Sequence, residues 1–290
     1  WTVEPKTARK AALAMRALAK ANNLDEIKAA AFWVEGISQI TKGRFAAAAE
    51  SLDRAVLTLN RIGESKNAAQ AQVAQLLALA MLGRYGEAIE TGKKALAIFL
   101  KAGDDLDAGK IEMNLSNIVS RQMRHAEAEK YCRAALKHFI KAGEKNWQAM
   151  AENGLANTYA ELNDLKKAAE FYKRALTTAR SEKMLVTEAE IEASLGNLAI
   201  LRGNYSEALN SLERSRQKYN DLAMPHQSAI ADLEIADIYA ELNLFSEANA
   251  TYDRIAPVFT RLKMGSEEAR TRLNHAGNLI GGVGGVFCQF

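Results

Sequence analysis

The stretch Asn163-Asp164-Leu165-Lys166-Lys167-Ala168, a short turn running into a helix, returns in the same register every 40 residues. The turn residue falls at Gly43, Gly83, Met123, Asn163, Gly203 and Asn243. Two places later stands a ring or a bulky apolar side chain: Phe45, Tyr85, His125, Leu165, Tyr205 and Phe245. Five places after the turn stands alanine every time, at Ala48, Ala88, Ala128, Ala168, Ala208 and Ala248. Six in-phase copies without an insertion or a deletion make this a repeat array. Such arrays grow in one dimension by stacking like units, so the 290 residues need not divide into globular cores.

Working outward, each unit reads as a helix A, a short turn, a helix B and a longer turn. Helix A of the first unit is expected at Asp25 to Ile40 and helix B from Phe45 to about Ile62. Helix B closes on Gly63, Gly103 and Gly143 in the first three units, where glycine adopts the left-handed conformation without a Cβ clash. The later units hold Lys183, Ala223 and Lys263 there, each followed by a methionine, which predicts caps relying on an apolar contact instead of on glycine. The alanine opening helix B implies a close crossing with helix A. Its partner position, seven before the turn, is small at Gly36, Ser116, Ala156, Gly196 and Ala236. Leu76 breaks this rule, so the second unit should be splayed or repacked there. Leu52, Cys132, Tyr172, Leu212 and Tyr252, with Ala55, Ala95, Ala135 and Ala175, fall on the inward face of helix B at helical spacing.

The ends depart from the pattern. Residues 1–23 read as the second helix of a repeat whose first helix is missing, with Pro5 in its first turn. Residues 24–265 make six units, and 266–280 begin a further helix A. Gly281-Gly282-Val283-Gly284-Gly285 then interrupts the pattern, so 281–290 is expected to be a loose Gly-rich tail. Pro257, inside the sixth helix B, should kink or end it near Ala256. Trp1-Thr2-Val3-Glu4 is neither an initiator methionine nor a signal peptide, and the chain reads as a window from something longer.

The pattern Leu155-Ala156-Asn157-x-Tyr159, Asn163-x-Leu165-x-x-Ala168, Tyr172-x-x-Ala175-Leu176 resembles the tetratricopeptide repeat. Leu195-Gly196-Asn197 with Gly203-x-Tyr205-x-x-Ala208 matches it equally well. The resemblance runs from about Pro5 to Asn278. It departs from the family in its 40-residue period, where 34 is usual, and in lacking a proline at the end of helix B. Longer units of this kind are similar to those of kinesin light chains and of arrays upstream of bacterial CHAT protease domains. The resemblance implies an all-α fold, a right-handed α-solenoid of antiparallel helical hairpins, with the A helices lining a concave groove.

By that geometry the groove receives the residue six places before each turn: Ile37, Leu77, Asn117, Asn157, Asn197 and Asp237. Amide side chains donate and accept at once, so such a ladder suits the backbone of an extended peptide. The competing reading is that neighbours satisfy these amides. One turn to either side lie Lys110, Met113, Asn114 and Arg121, then Asn153 and Glu161, then Glu190, Glu234 and Glu241. The face thus shifts from basic or neutral toward acidic, unless these are simply solvated charges. The candidate partner-binding residues are therefore Asn114, Asn117, Arg121, Asn153, Asn157, Glu161, Asn197, Glu234, Asp237 and Glu241.

Other chemistry is weakly supported. The net charge of +3, from 38 basic and 35 acidic residues, does not point to nucleic acid or an anionic membrane. His125, His138, His226 and His275 fall at neither metal-ligand nor triad spacing, and no cofactor or metal is expected. His125 and Cys132 are about 10 Å apart along one helix, too far for a nucleophile and its base. The glycine run lacks the lysine and serine of a phosphate loop. Two cysteines form no disulfide framework, which fits a cytoplasmic compartment. The expected function is a non-enzymatic scaffold binding a peptide or partner domain in its groove. The alternative is the regulatory or sensor arm of a larger protein, either a CHAT-type protease or a transcriptional or signalling regulator.

Overall fold

The computed structural model describes residues 10, 11, 13–15 and 24–287, with side chains to 279. Its main chain takes a left-handed conformation at 43, 63, 83 and so on to 263, once every twenty residues. Six of these positions are glycine, with φ between 66° and 83°; the others are Met123, Asn163, Lys183, Ala223, Asn243 and Lys263, with φ between 53° and 61°. At each one the following N–H reaches back five residues, as from Arg44 to Gln39 O (2.9 Å) and from Met264 to Phe259 O (3.0 Å). The left-handed residue's own N–H bonds three residues back, as from Gly43 to Ile40 O (2.9 Å) and from Ala223 to Asn220 O (3.0 Å). This pair of bonds takes up the last free carbonyls of a helix and reverses the chain.

Thirteen helices follow from that punctuation among residues 24–287: α1 Asp25–Ile40, α2 Phe45–Arg61, α3 Ser65–Met81, α4 Tyr85–Ala102, α5 Asp105–Arg121, α6 His125–Ala142, α7 Lys145–Glu161, α8 Leu165–Ser181, α9 Leu185–Leu201, α10 Tyr205–Asp221, α11 Pro225–Glu241, α12 Phe245–Leu262 and α13 Gly265–Phe287. Asp104, Asp164 and Asn204 cap α5, α8 and α10, each side-chain oxygen accepting an N–H three residues on, at 3.1, 3.1 and 3.2 Å. The fold is an all-α solenoid of antiparallel helical hairpins. It forms two compact units, one ending at Trp147 and the other beginning at Gln148, with the division inside α7.

In each hairpin the alanine opening the even-numbered helix is fully buried. The small position on the odd-numbered helix faces a large one sixteen residues on. In the first unit a Cβ on Gly36 would lie 2.5 Å from Leu52 Cγ. In the second, a Cβ on Gly196 would lie 2.7 Å from Leu212 Cγ. At Leu76 the two sizes are exchanged. Leu76 is buried and its partner is Gly92, where a Cβ would lie 2.6 Å from Leu76 Cδ1 and 2.7 Å from Leu115 Cδ2. The α3–α4 hairpin is thus repacked and not splayed. The first unit buries Leu76, Phe99, Ile111 and Leu115 in one cluster. The second has one around Leu212, Ile235 and Ile238 and another around Leu233, Tyr252 and Phe259.

Three expectations are corrected. Lys183, Ala223 and Lys263 make no separate class of cap, since they adopt the same left-handed geometry as the glycines, with the methionine supplying the five-back N–H. The expected apolar contact is present at Met264, which packs against the cluster containing Phe259, the residue its N–H reaches. Of the kink or end expected at Pro257, the end is excluded, since α12 runs to Leu262. Pro257 is exposed, and Ile255 and Phe259 on either side of it are anchored in the core, so packing there outweighs the missing bond. The glycine run does not break α13, which continues to Phe287, because glycine in a helix costs about 1 kcal/mol without forbidding it. Most of the opening segment 1–23, and residues 288–290, lie outside the described residues; 10, 11 and 13–15 are helical.

Two measurements test this account. Lys183→Gly, Ala223→Gly and Lys263→Gly should each stabilise the chain by about 1 kcal/mol in denaturant melts, because each removes a Cβ from a left-handed residue. Gly92→Leu alone should cost about 1–3 kcal/mol by overpacking, and Leu76→Gly more. The double variant should be less destabilised than the two single losses added together.

Candidate partner-binding surface

The ladder position six before each turn lies on the odd-numbered helices, one residue from the buried small position, which aims it outward. In the first unit it holds half-buried Ile37, exposed Leu77 and exposed Asn117. Asn114 is half-buried one turn earlier on α5, and Arg121 is exposed at its end with no ion pair among the described residues. In the second unit Asn157 and Asn197 are exposed and Asp237 is half-buried.

Neighbours do engage the rungs of the second unit. Tyr172 donates its hydroxyl to Asn157 Oδ1 at 2.5 Å, and burial pushes the Tyr172 phenol up to about 12. Asn197 Nδ2 donates to Glu234 Oε1 at 3.5 Å. Burial raises the Glu234 carboxyl above its ordinary range, against the opposing pull of Asn197 and Arg270. Asp237 is fully occupied: it accepts from Tyr252 (2.6 Å), Asn274 (2.8 Å) and Arg270. Glu241 accepts from the Tyr205 hydroxyl at 2.8 Å. Asn153 keeps a buried Oδ1 with no hydrogen-bond partner, and Glu161 is exposed. The structure therefore leaves Asn157 an exposed amide with its N–H₂ uncommitted, and Asn197 one with its carbonyl uncommitted. In Asn117's hairpin Cys132 stands where Tyr172 would be, and its Sγ lies 3.0 Å from the Ser116 hydroxyl.

Sequence reasoning missed a second ladder, buried, eleven residues before the turn. Glu112, Glu152, Glu192 and Asp232 are all at most 6% exposed. Twenty-two residues on, the next helix answers three of them. Arg174 meets Glu152 at 3.0 Å, Arg214 meets Glu192 at 2.7 Å, and Arg254 meets Asp232 at 2.7 and 3.1 Å. Arg180 and Arg216 add contacts to Glu192 and Asp232 at 2.8 and 3.1 Å. In the first hairpin the same register holds Phe32 and Arg54, whose guanidinium sits 5.8 Å from the ring centroid. The signal was present as acids repeating every 40 residues with arginines offset by 22.

Sequence profiles described as tetratricopeptide repeat match residues 34–103, 107–181 and 194–264. The chain belongs to the tetratricopeptide repeat family. This repeat is a protein-interaction scaffold, so the array is one too. A comparison with curated proteins finds no match. Three solved structures share the fold. A signal transduction ATPase with numerous domains and a tetratricopeptide repeat sensor, from Pyrococcus horikoshii, aligns with TM-score 0.68 at 13% identity, over 96% of this chain and 44% of that one. A Rap protein complexed with Competence and Sporulation Factor aligns at 0.61 and 16% identity, over 87% and 75%. Kinesin light chain repeats from P. anserina align at 0.57 and 16%, over 66% and 94%. Among the described residues no helix is long and apolar enough to cross a membrane, and no group of three or more His, Cys, Asp or Glu is placed to hold a metal.

The buried ladder makes a testable demand on the tetratricopeptide array. Arg174→Met leaves Glu152 buried with only amide and hydroxyl contacts, from Gln148 and Thr178 at 3.3 and 3.4 Å. It should cost about 2–3 kcal/mol in thermal or urea unfolding, while Glu152→Leu with Arg174→Leu should recover most of that.

Proposed function

We propose that the exposed face of the odd-numbered helices binds an extended peptide or a partner segment through its main chain, and that the chain performs no chemistry of its own. The observation that carries this is the half-committed state of Asn157 and Asn197. One offers donors and the other an acceptor, on helices held rigid by the hairpin packing. An extended backbone alternates C=O and N–H groups, so it answers both without regard to side-chain identity. Side-chain preference then comes from the flanks. The second unit surrounds its rungs with Glu161, Glu234, Glu241 and the Asp237–Arg270 pair. The first unit, taken by itself, offers Leu77, Asn114, Asn117 and Arg121. A similar fold has been solved as a Rap protein with a bound factor, which supports this mode of use.

A second reading is a regulatory or sensor arm of a larger protein. It is favoured by the Pyrococcus ATPase, in which a comparable array, described as a sensor, is part of a multidomain chain. The two readings share the same surface and differ in what lies beyond it.

Asn157→Ala with Asn197→Ala should weaken binding of a peptide selected from a random display library at least tenfold, with helical circular dichroism unchanged. N-methylation of the peptide at the contacted amides should do the same. Unchanged affinity in both experiments overturns the main-chain reading.

A further inference from the structure

Three hairpins bury a carboxylate against an arginine, and the α5–α6 hairpin buries Glu112 without one. Where Arg174, Arg214 and Arg254 stand, this hairpin has Ala134. Glu112 is 6% exposed and its Oε2 has no hydrogen-bond partner. Its nearest basic neighbour is His138 Nε2, at 3.8 Å. The other ring nitrogen of His138 is held by Asp105 Oδ1 at 2.7 Å, and Asp105 Oδ2 also holds Lys141 at 2.8 Å.

We propose that Glu112 is a protonation switch: the α5–α6 hairpin is tight while Glu112 is neutral and loosens when it ionises. A neutral carboxyl tolerates this apolar seam. A charged one needs the arginine that the other hairpins supply, and without it either water enters or the side chain swings out. Two cations, one on α5 and one on α3, are held by other groups. On α5, Lys110 is paired with Asp107 at 2.9 Å and lies over the Trp147 ring at the start of α7. On α3, Lys66 is paired with Asp104 at 2.7 Å and Gln70 reaches Asp107. On α6, the phenol of Tyr131 is raised chiefly by burial, and the charge of Glu112 contributes to that rise. Among the described residues α4 brings no ion pair to the seam.

Burial lifts the Glu112 carboxyl to about 7, with His138 pulling the other way. Between its ordinary value of 4.5 and about 7, the folded chain therefore keeps a proton that the unfolded chain has released. The contribution to stability is greatest on the acid side of that window and is lost as pH rises through it, by up to about tenfold in the folding constant per pH unit. Asn114 and Asn117 lie two and five residues further along the same helix, so the switch acts on the helix that presents them.

The test uses the full chain with ¹³C-labelled glutamate. One side-chain carboxyl should titrate near pH 7 and be missing in Glu112→Gln. Amide protection in α5 and α6, corrected for intrinsic exchange, should fall between pH 5.5 and 8 at least tenfold more than in α9 and α10, where Glu192 has Arg214. Ala134→Arg should return the Glu112 resonance to the ordinary carboxylate range and flatten that fall. A Glu112 resonance titrating with the exposed glutamates overturns the proposal, as does an unchanged loss of protection in Glu112→Gln. Should Glu112→Gln fail to fold, the wild-type titration and Ala134→Arg still decide.

Discussion

The left-handed residue at every twentieth position is the constraint on which the rest depends. It stops each of α1 to α12 after four or five turns and sends the chain back antiparallel, bonded through its own N–H and the one following. With helices of nearly equal length, the same register position recurs one hairpin later within each unit. Only then can a single alanine, a single small-for-large contact and a single buried acid recur at fixed spacing and meet the same partner each time. The backbone device is uniform even though its residues are not. Six glycines take it without strain and the two asparagines with little, while Met, Lys and Ala take it against their preference because helix packing on both sides over-determines the turn.

Between the helices two kinds of contact share the work. Near the turn, apolar fit dominates: buried alanine on one helix and a glycine or alanine cradle on the other. Further from it, buried carboxylates meet arginines whose stems cover the seam while their heads stay partly in water. The second contact is the more demanding, since an ionised acid in such a place is tolerated only when paired. It gives the interior of this array an electrostatic pattern as regular as the polar one on its exposed face. Among the four buried acids of that register, Glu112 alone lacks its arginine.

Much of the fold was legible because a 40-residue period is a one-dimensional signal that needs no tertiary information. Turn positions, the first unit's helix bounds to within a residue or so, the buried alanines and the repeat family all followed from it. What escaped were features defined by two positions at once. Leu76 was visible as an exception, but Gly92, which compensates for it, carries no mark of its own. The buried acids carry no mark of burial in the sequence, since a single glutamate does not show which face it occupies. At Pro257 the tendency to end the helix was weighed without the packing of Ile255 and Phe259 that overrides it. At the C-terminal glycines the helical cost of glycine is too small to stop α13. For the exposed rungs the sequence supplied position, and the structure added which half of each amide is already spent.

The exchanged pair at Leu76 and Gly92 has a consequence for how such a chain assembles. Hairpins built to one pattern are in principle interchangeable, and a nascent helix could dock on a neighbour's partner as well as on its own. Leu76 cannot sit opposite Leu52 or Leu212 without two branched side chains colliding, and Gly92 opposite Gly36 or Gly196 would leave a void. The third and fourth helices therefore fit each other and no other pair equally well. The swap thus disfavours mispairing of these two helices with those of the Gly36–Leu52 and Gly196–Leu212 hairpins.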